Sequence, residues 1–128
     1  MSKPLYRAAF NTHLLEFFDD LQLIFPDEND ISIGKTSCQT IIKMNITTIL
    51  KLWYQYTLPY HIEIENGDIS FFMEKDYTPD ISKFNRISEA EEVINRLREP
   101  IQKLDDSNKE KSMKYIQNLT KLSKLYIE

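Results

Sequence analysis

Cys38, His13 and His61 are the only thiol and imidazole groups in the chain. A thiol nucleophile needs a positioned base and an oxyanion site. Lys35 is near Cys38 in sequence, but nothing local supplies either requirement, so Cys38 reads as a small buried hydrophobe. His61 stands beside Glu63 and Glu65. A zinc site from His61, Glu63 and one distant residue is conceivable on that spacing. Without a cluster of further ligands, the better reading is a surface histidine whose pKa the acids raise. His13 borders the apolar face of the first helix. No metal or cofactor is expected.

Two motif fragments fall short of their chemistry. Gly34-Lys35-Thr36-Ser37 resembles the tail of a phosphate loop. A true loop carries a second glycine five positions earlier, where this chain has Asn29, and it follows a strand. The acids between Pro26 and Asp30 would repel phosphate. These four residues therefore read as the first turn of a helix. Asp27, Asn29 and Ile31 echo the opening of a calcium loop, without the glycine at the sixth position or the closing glutamate. Glu63, Glu65, Asp68, Glu74, Asp76 and Asp80 could include a general acid–base pair. Their interleaving with aromatics has a simpler cause: aromatics face a core and acids face water.

Charge offers the remaining candidate surface. Lys111, Lys114, Lys121 and Lys124 recur along the last helix, opposite its apolar side. Arg96 and Arg98 in the preceding helix could extend the surface. Such a face could meet phosphates, or the acidic surface of a partner protein. The commonest role of lysines so placed is solvation.

The elements that position these groups follow from apolar spacing. Residues Leu5 to Phe25 place Phe10, Leu14, Phe17, Phe18, Leu21, Ile24 and Phe25 on one helical face. Pro26 and the acidic cluster behind it end that helix. Asp30 or Ser32 can cap a second helix reaching Met44, with Ile33, Ser37, Thr40, Ile41 and Met44 inward. Asn45 reads as the N-cap of a third helix, from Ile46 to about Leu58, where Pro59 kinks or stops it. Residues 60–66 alternate apolar and acidic, which fits a short strand or a helical turn. An isolated strand has no partner, so helix or turn is favoured. Residues 52–77 hold seven of the fifteen aromatics and look built as a packing centre. Asn66-Gly67 ends that piece, and Asp68 can cap a short helix through Phe71, Phe72 and Lys75. A loop-like stretch runs from Thr78 to Ile87.

Ser88 and Glu91 form a capping box. The helix they open buries Val93, Ile94, Leu97, Ile101 and Leu104, with Pro100 predicting a kink near Leu97. Ser107 and Glu110 repeat the box. The last helix carries Tyr115, Leu119, Leu122 and Tyr126 as its stripe, with Ile116 beside them. The short link before it implies an antiparallel helical hairpin. The expected fold is all-α, a compact bundle of five or six helices ending in that hairpin, as a single helical domain over residues 1–128.

Bulk composition agrees. The chain is 41% hydrophobic and 28% charged, the balance of a globular domain able to bury one core. Two glycines, Gly34 and Gly67, are few for backbone cradling of a nucleotide. One cysteine excludes an internal disulfide and suits a reducing compartment. The opening MSKPLYRAAF lacks the apolar run of a signal peptide, and no segment is apolar for long enough to predict a membrane span. Net charge is −4 and uneven, with twelve acids against six bases in residues 1–80 and eight against ten in residues 81–128.

FNTHLLEFFDDLQLIFPDENDI, LPYHIEIENGDISFFMEKDY and INRLREP with the closing NKEKSMKYIQNLTKLSKLY together resemble small proteins of nucleocytoplasmic large DNA viruses. The resemblance spans nearly the whole chain. It implies a viral setting, in the virion or the infected host cytoplasm, and carries no catalytic residues with it. The expected function is a non-enzymatic interaction protein, a small virion or capsid-assembly component whose partners are viral structural or assembly proteins. The acidic N-terminal portion and the lysine face of the last helix are the expected contact surfaces. The alternative is a nucleic-acid-associated accessory factor of viral replication or transcription. It would use Arg96, Arg98 and the four lysines on phosphates, with Tyr115 or Tyr126 stacking on bases. An enzyme with an acid-lined pocket near Tyr60–Asp80 ranks behind both.

Overall fold

The computed structural model describes residues 3–68 and 89–128. Those residues form α-helices and one 3-10 turn, with no strand among them. The all-α architecture expected from the apolar spacing is the one observed. The short helix after Asp68, the Thr78–Ile87 loop and the box residue Ser88 lie outside the described residues.

Helix α1, Lys3–Ile24, buries Phe10, Leu14, Phe17, Phe18 and Leu21 of the expected stripe, with Asn11 beside them, whereas Ile24 at its end is exposed and Phe25 only partly buried. Its end is tied off by Gln22, whose side-chain amide donates to the Phe25 carbonyl at 2.8 Å before Pro26 stops the chain. Helix α2, Asn29–Met44, buries Ile31, Gly34, Cys38 and Ile41. This face is rotated from the expected one. Ile33 is 47% exposed and Met44 78% exposed. The cause is Gly34. A Cβ there would lie 2.8 Å from Phe18 Cε1 and 3.2 Å from Arg96 Cβ, so α1 and the later helix bearing Arg96 both close on this position. The glycine of the phosphate-loop fragment thus serves helix packing. Neither Asp30 nor Ser32 caps α2, whose N-cap position is Glu28.

Helix α3, Thr48–Thr57, buries Ile49, Leu50, Trp53 and Thr57. Asn45 closes α2, and its Oδ1 accepts from the Thr47 backbone N–H at 3.0 Å, which turns the chain into α3. Pro59 lies in the 3-10 turn Leu58–Tyr60, and α4, His61–Glu65, follows directly. The helical reading of this region holds. Gly67 adopts φ 76°, a left-handed conformation that glycine reaches without a Cβ penalty. Its N–H bonds the Ile64 carbonyl and that of Asp68 bonds Glu63, a double closure that ends α4.

Helix α5, Glu89–Gln102, buries Val93, Ile94, Leu97 and Ile101, and Leu104 beyond its end is buried too. Pro100 sits in its last turn, which tightens into i→i+3 bonds from Lys103 and Leu104. Helix α6, Asp106–Ile127, is capped by Asp105, whose carboxylate accepts from the Asn108 N–H at 2.9 Å. The Ser107–Glu110 box is therefore a misplaced cap. A carboxylate two positions earlier reaches the same kind of orphan donor and also favours the positive end of the helix.

The buried stripe of α6 is Ser112, Met113, Ile116, Leu119, Thr120 and Ser123. Tyr115, Leu122 and Tyr126, expected at its centre, are only partly buried along its flank. Small side chains take the middle of the interface, and the larger ones close its edges.

Helix α1 packs between α6 and α2, α5 lies on α2, and α6 also meets α3 and α4. The expected terminal hairpin is therefore corrected. A short link joins α5 to α6, but each packs chiefly on other helices. Trp53 marks the middle of the core. Its ring meets Phe10 edge-on at 6.3 Å, and its Nε1–H donates to Thr120 Oγ1 at 3.1 Å. That bond gives a buried indole its required partner. On the far side, Arg96 clamps α5 to α2 through Asp30 at 2.7 Å, with Glu92 at 2.8 Å.

Candidate interaction site

The six cationic candidates do not form one surface. Arg96 is spent on its two carboxylates, which makes it a brace between helices rather than a contact for a partner. Arg98 is half-buried on the same helix α5. The four lysines ride on α6. Lys111, Lys114 and Lys121 are exposed and Lys124 is half-buried. Among the described residues, none of the four lysines enters an ion pair. Lys111 borders a groove of about 240 Å³ between α1 and α6, with Asp20, Leu23 and Tyr115. Lys114 borders a second depression beside Asn66 and Gly67. Lys121 and Lys124 share a cleft of about 620 Å³ between α4 and the C-terminal half of α6.

The stacking aromatics are also committed. Tyr115 lies parallel to Phe17 at 4.7 Å, with His13 on it at 4.6 Å, and its hydroxyl donates to Asp20. Burial and the Asp20 contact raise its pKa, so the phenol stays protonated. Tyr126 is partly buried, with Lys3 5.7 Å from its ring centre.

His61 is the group that the sequence misjudged most. Its neighbours in sequence predict a raised pKa, whereas its pKa is lowered. Burial is the first cause and the positive charge of Lys124 the second, and they outweigh Glu128 and Glu65. Its Nε2 is sealed from solvent without a hydrogen-bond partner. Tyr54 meets the His61 ring edge-on at 6.2 Å and donates its hydroxyl to Glu128 at 2.9 Å. Gln117 adds a bond to the Ile64 carbonyl at 2.9 Å, which pins α4 against α6. This cleft was hidden in the sequence because its two walls lie more than fifty residues apart.

Cys38 is fully buried, and burial pushes its thiol up to about 12. A protonated thiol in the core is inert. Among the described residues, no group of three or more histidine, cysteine, aspartate or glutamate side chains could hold a metal ion. No described helix is long and apolar enough to cross a membrane. Comparison with known proteins gives no matching family model, no matching curated protein and no matching solved structure.

Proposed function

We propose that this chain is a non-enzymatic interaction protein of a large DNA virus, a small component of the particle or of its assembly. It docks on an acidic protein surface through the lysine side of α6. One observation carries the contact: Lys111, Lys114, Lys121 and Lys124 have no ion-pair partner among the described residues. They project from a helix whose other face is fixed in the core by Ile116, Leu119 and Thr120. A cationic row on a rigid element presents its charge without reorganising, which favours encounter with an acidic partner. The viral setting rests on the resemblance of the three sequence segments, and the single reduced cysteine suits assembly in host cytoplasm.

The nucleic-acid reading uses the same lysines, but Arg96 is held by carboxylates and Tyr115 by its ring stack. The two readings separate experimentally. Quantitative mass spectrometry of purified particles should find the chain in stoichiometric amounts, and K111E/K114E/K121E should lose incorporation while staying folded. Absence from particles and assembly intermediates would refute the structural role. Retention on DNA at low salt, lost steeply as salt rises, would replace it with the nucleic-acid role.

A further inference from the structure

The cleft between α4 and the C-terminal half of α6 has the form of a ligand site. Its volume of about 620 Å³ suits a small molecule better than a protein segment. Leu125 gives it an apolar wall, extended by the aliphatic stems of Lys121 and Lys124, over a floor closed by the buried Ile64. Its charges are unequally available. The Glu128 carboxylate already accepts from the Tyr54 hydroxyl at 2.9 Å. The Lys121 and Lys124 ammonium groups have no such partner among the described residues.

We propose that this cleft binds a small amphipathic anion, a carboxylate or phosphate carrying an aliphatic chain. The headgroup sits on Lys121 and Lys124, beside His61, and the chain lies along Leu125 and the lysine stems. The site shares two lysines with the docking face above but does not depend on it. Ligand binding is measured on the isolated chain, whereas the docking role is measured on particles.

His61 is the built-in reporter. The groups around it are Lys121 and Lys124 from α6, Glu128 just past its end, Glu65 from α4 and Tyr54 from α3. Lys124 now disfavours its protonated form. An anion on Lys124 offsets that charge and itself attracts the imidazolium, so occupancy is expected to raise the His61 pKa against the further burial that the chain brings. A surface ion bound elsewhere would leave it unmoved.

The test titrates the full chain with decanoate and decyl phosphate below their micelle concentrations, following His61 ring signals by NMR. Decanol, decyltrimethylammonium and inorganic phosphate are the controls. Saturable binding of either anion with an upward His61 pKa supports the site, and the tighter of the two names the headgroup. Lys124→Met should weaken binding about tenfold, the loss expected for one charge-assisted hydrogen bond, and Lys43→Met should not. Equal binding of the cationic amphiphile, an unmoved His61, or no effect of Lys124→Met would overturn the proposal. Inorganic phosphate binding as tightly as decyl phosphate would mean an adventitious ion only, with the same consequence.

Discussion

Gly34→Ala tests the packing argument most directly, because two effects of opposite sign meet there. In an exposed helix interior, alanine for glycine stabilises by about 0.5–1 kcal/mol through backbone entropy. Here the new methyl would sit 2.8 Å from Phe18 Cε1 and 3.2 Å from Arg96 Cβ. Phe18 is fully buried, so its ring has little room to swing away. Arg96 Cβ is fixed to the α5 backbone, so relief on that side requires α5 to move. That movement loads the 2.7 Å contact between Arg96 and Asp30. Overpacking of this kind destabilises by about 1–3 kcal/mol. The sum is a net loss of roughly 0–2.5 kcal/mol, after the helix-propensity gain is subtracted. Urea denaturation should show a lower midpoint with an unchanged slope. Phe18→Leu in the same chain should recover part of the loss, so the double variant is more stable than additivity predicts. A stabilised Gly34→Ala would refute the close approach of three helices at this point.

Three further outcomes follow from single contacts. Thr120→Val removes the hydroxyl that accepts from the buried Trp53 N–H and should lower stability by about 1–3 kcal/mol, whereas Thr120→Ser should restore most of it; denaturation followed by tryptophan fluorescence measures both. Asp105→Ala should lose about 1 kcal/mol with the α6 cap, and Ser107→Ala close to nothing; equal losses would mean that the serine box is the cap after all. The lowered His61 pKa means that the unfolded chain binds its proton first as pH falls below 6.5. That stability is present above 6.5 and is lost as pH drops through the folded value. His61→Gln should flatten the fall in urea midpoint over that window.

What the sequence reveals here is decided by the range of each interaction. The α1 stripe, the Asn66-Gly67 stop and the helical turn after Pro59 depend on residues within a few positions, and they are legible. The α2 and α6 faces are not. Large side chains suggest Ile33 and Met44 on one helix, and Tyr115 and Tyr126 on the other. The buried stripes run instead through Gly34 and Cys38, and through Ser112, Thr120 and Ser123. Close helix contact selects the positions with little side chain, and the bulky neighbours close the edges of the seam. A reading weighted by hydrophobic size therefore finds the right helices and misses their rotation.

The same rule governs the site. Arg96 and Arg98 lie near the lysines in sequence, and a hairpin of α5 on α6 would have joined them into one basic surface. Gly34 prevents that by drawing α5 onto α2, where Asp30 captures Arg96. Freed of α5 as its main partner, α6 turns its small residues to α1 and α3 and meets α4 near its end. That arrangement buries His61 and sets Lys124 beside it, which together reverse the pKa shift that Glu63 and Glu65 suggest. The close approach at Gly34 thus goes with the separation of Arg96 from the lysines of α6. In Gly34→Ala, displacement of α5 alone would leave the His61 ring signals where they are, whereas a shift in α1 carried through to α6 would move them. The comparison measures how tightly the two halves of the bundle are joined.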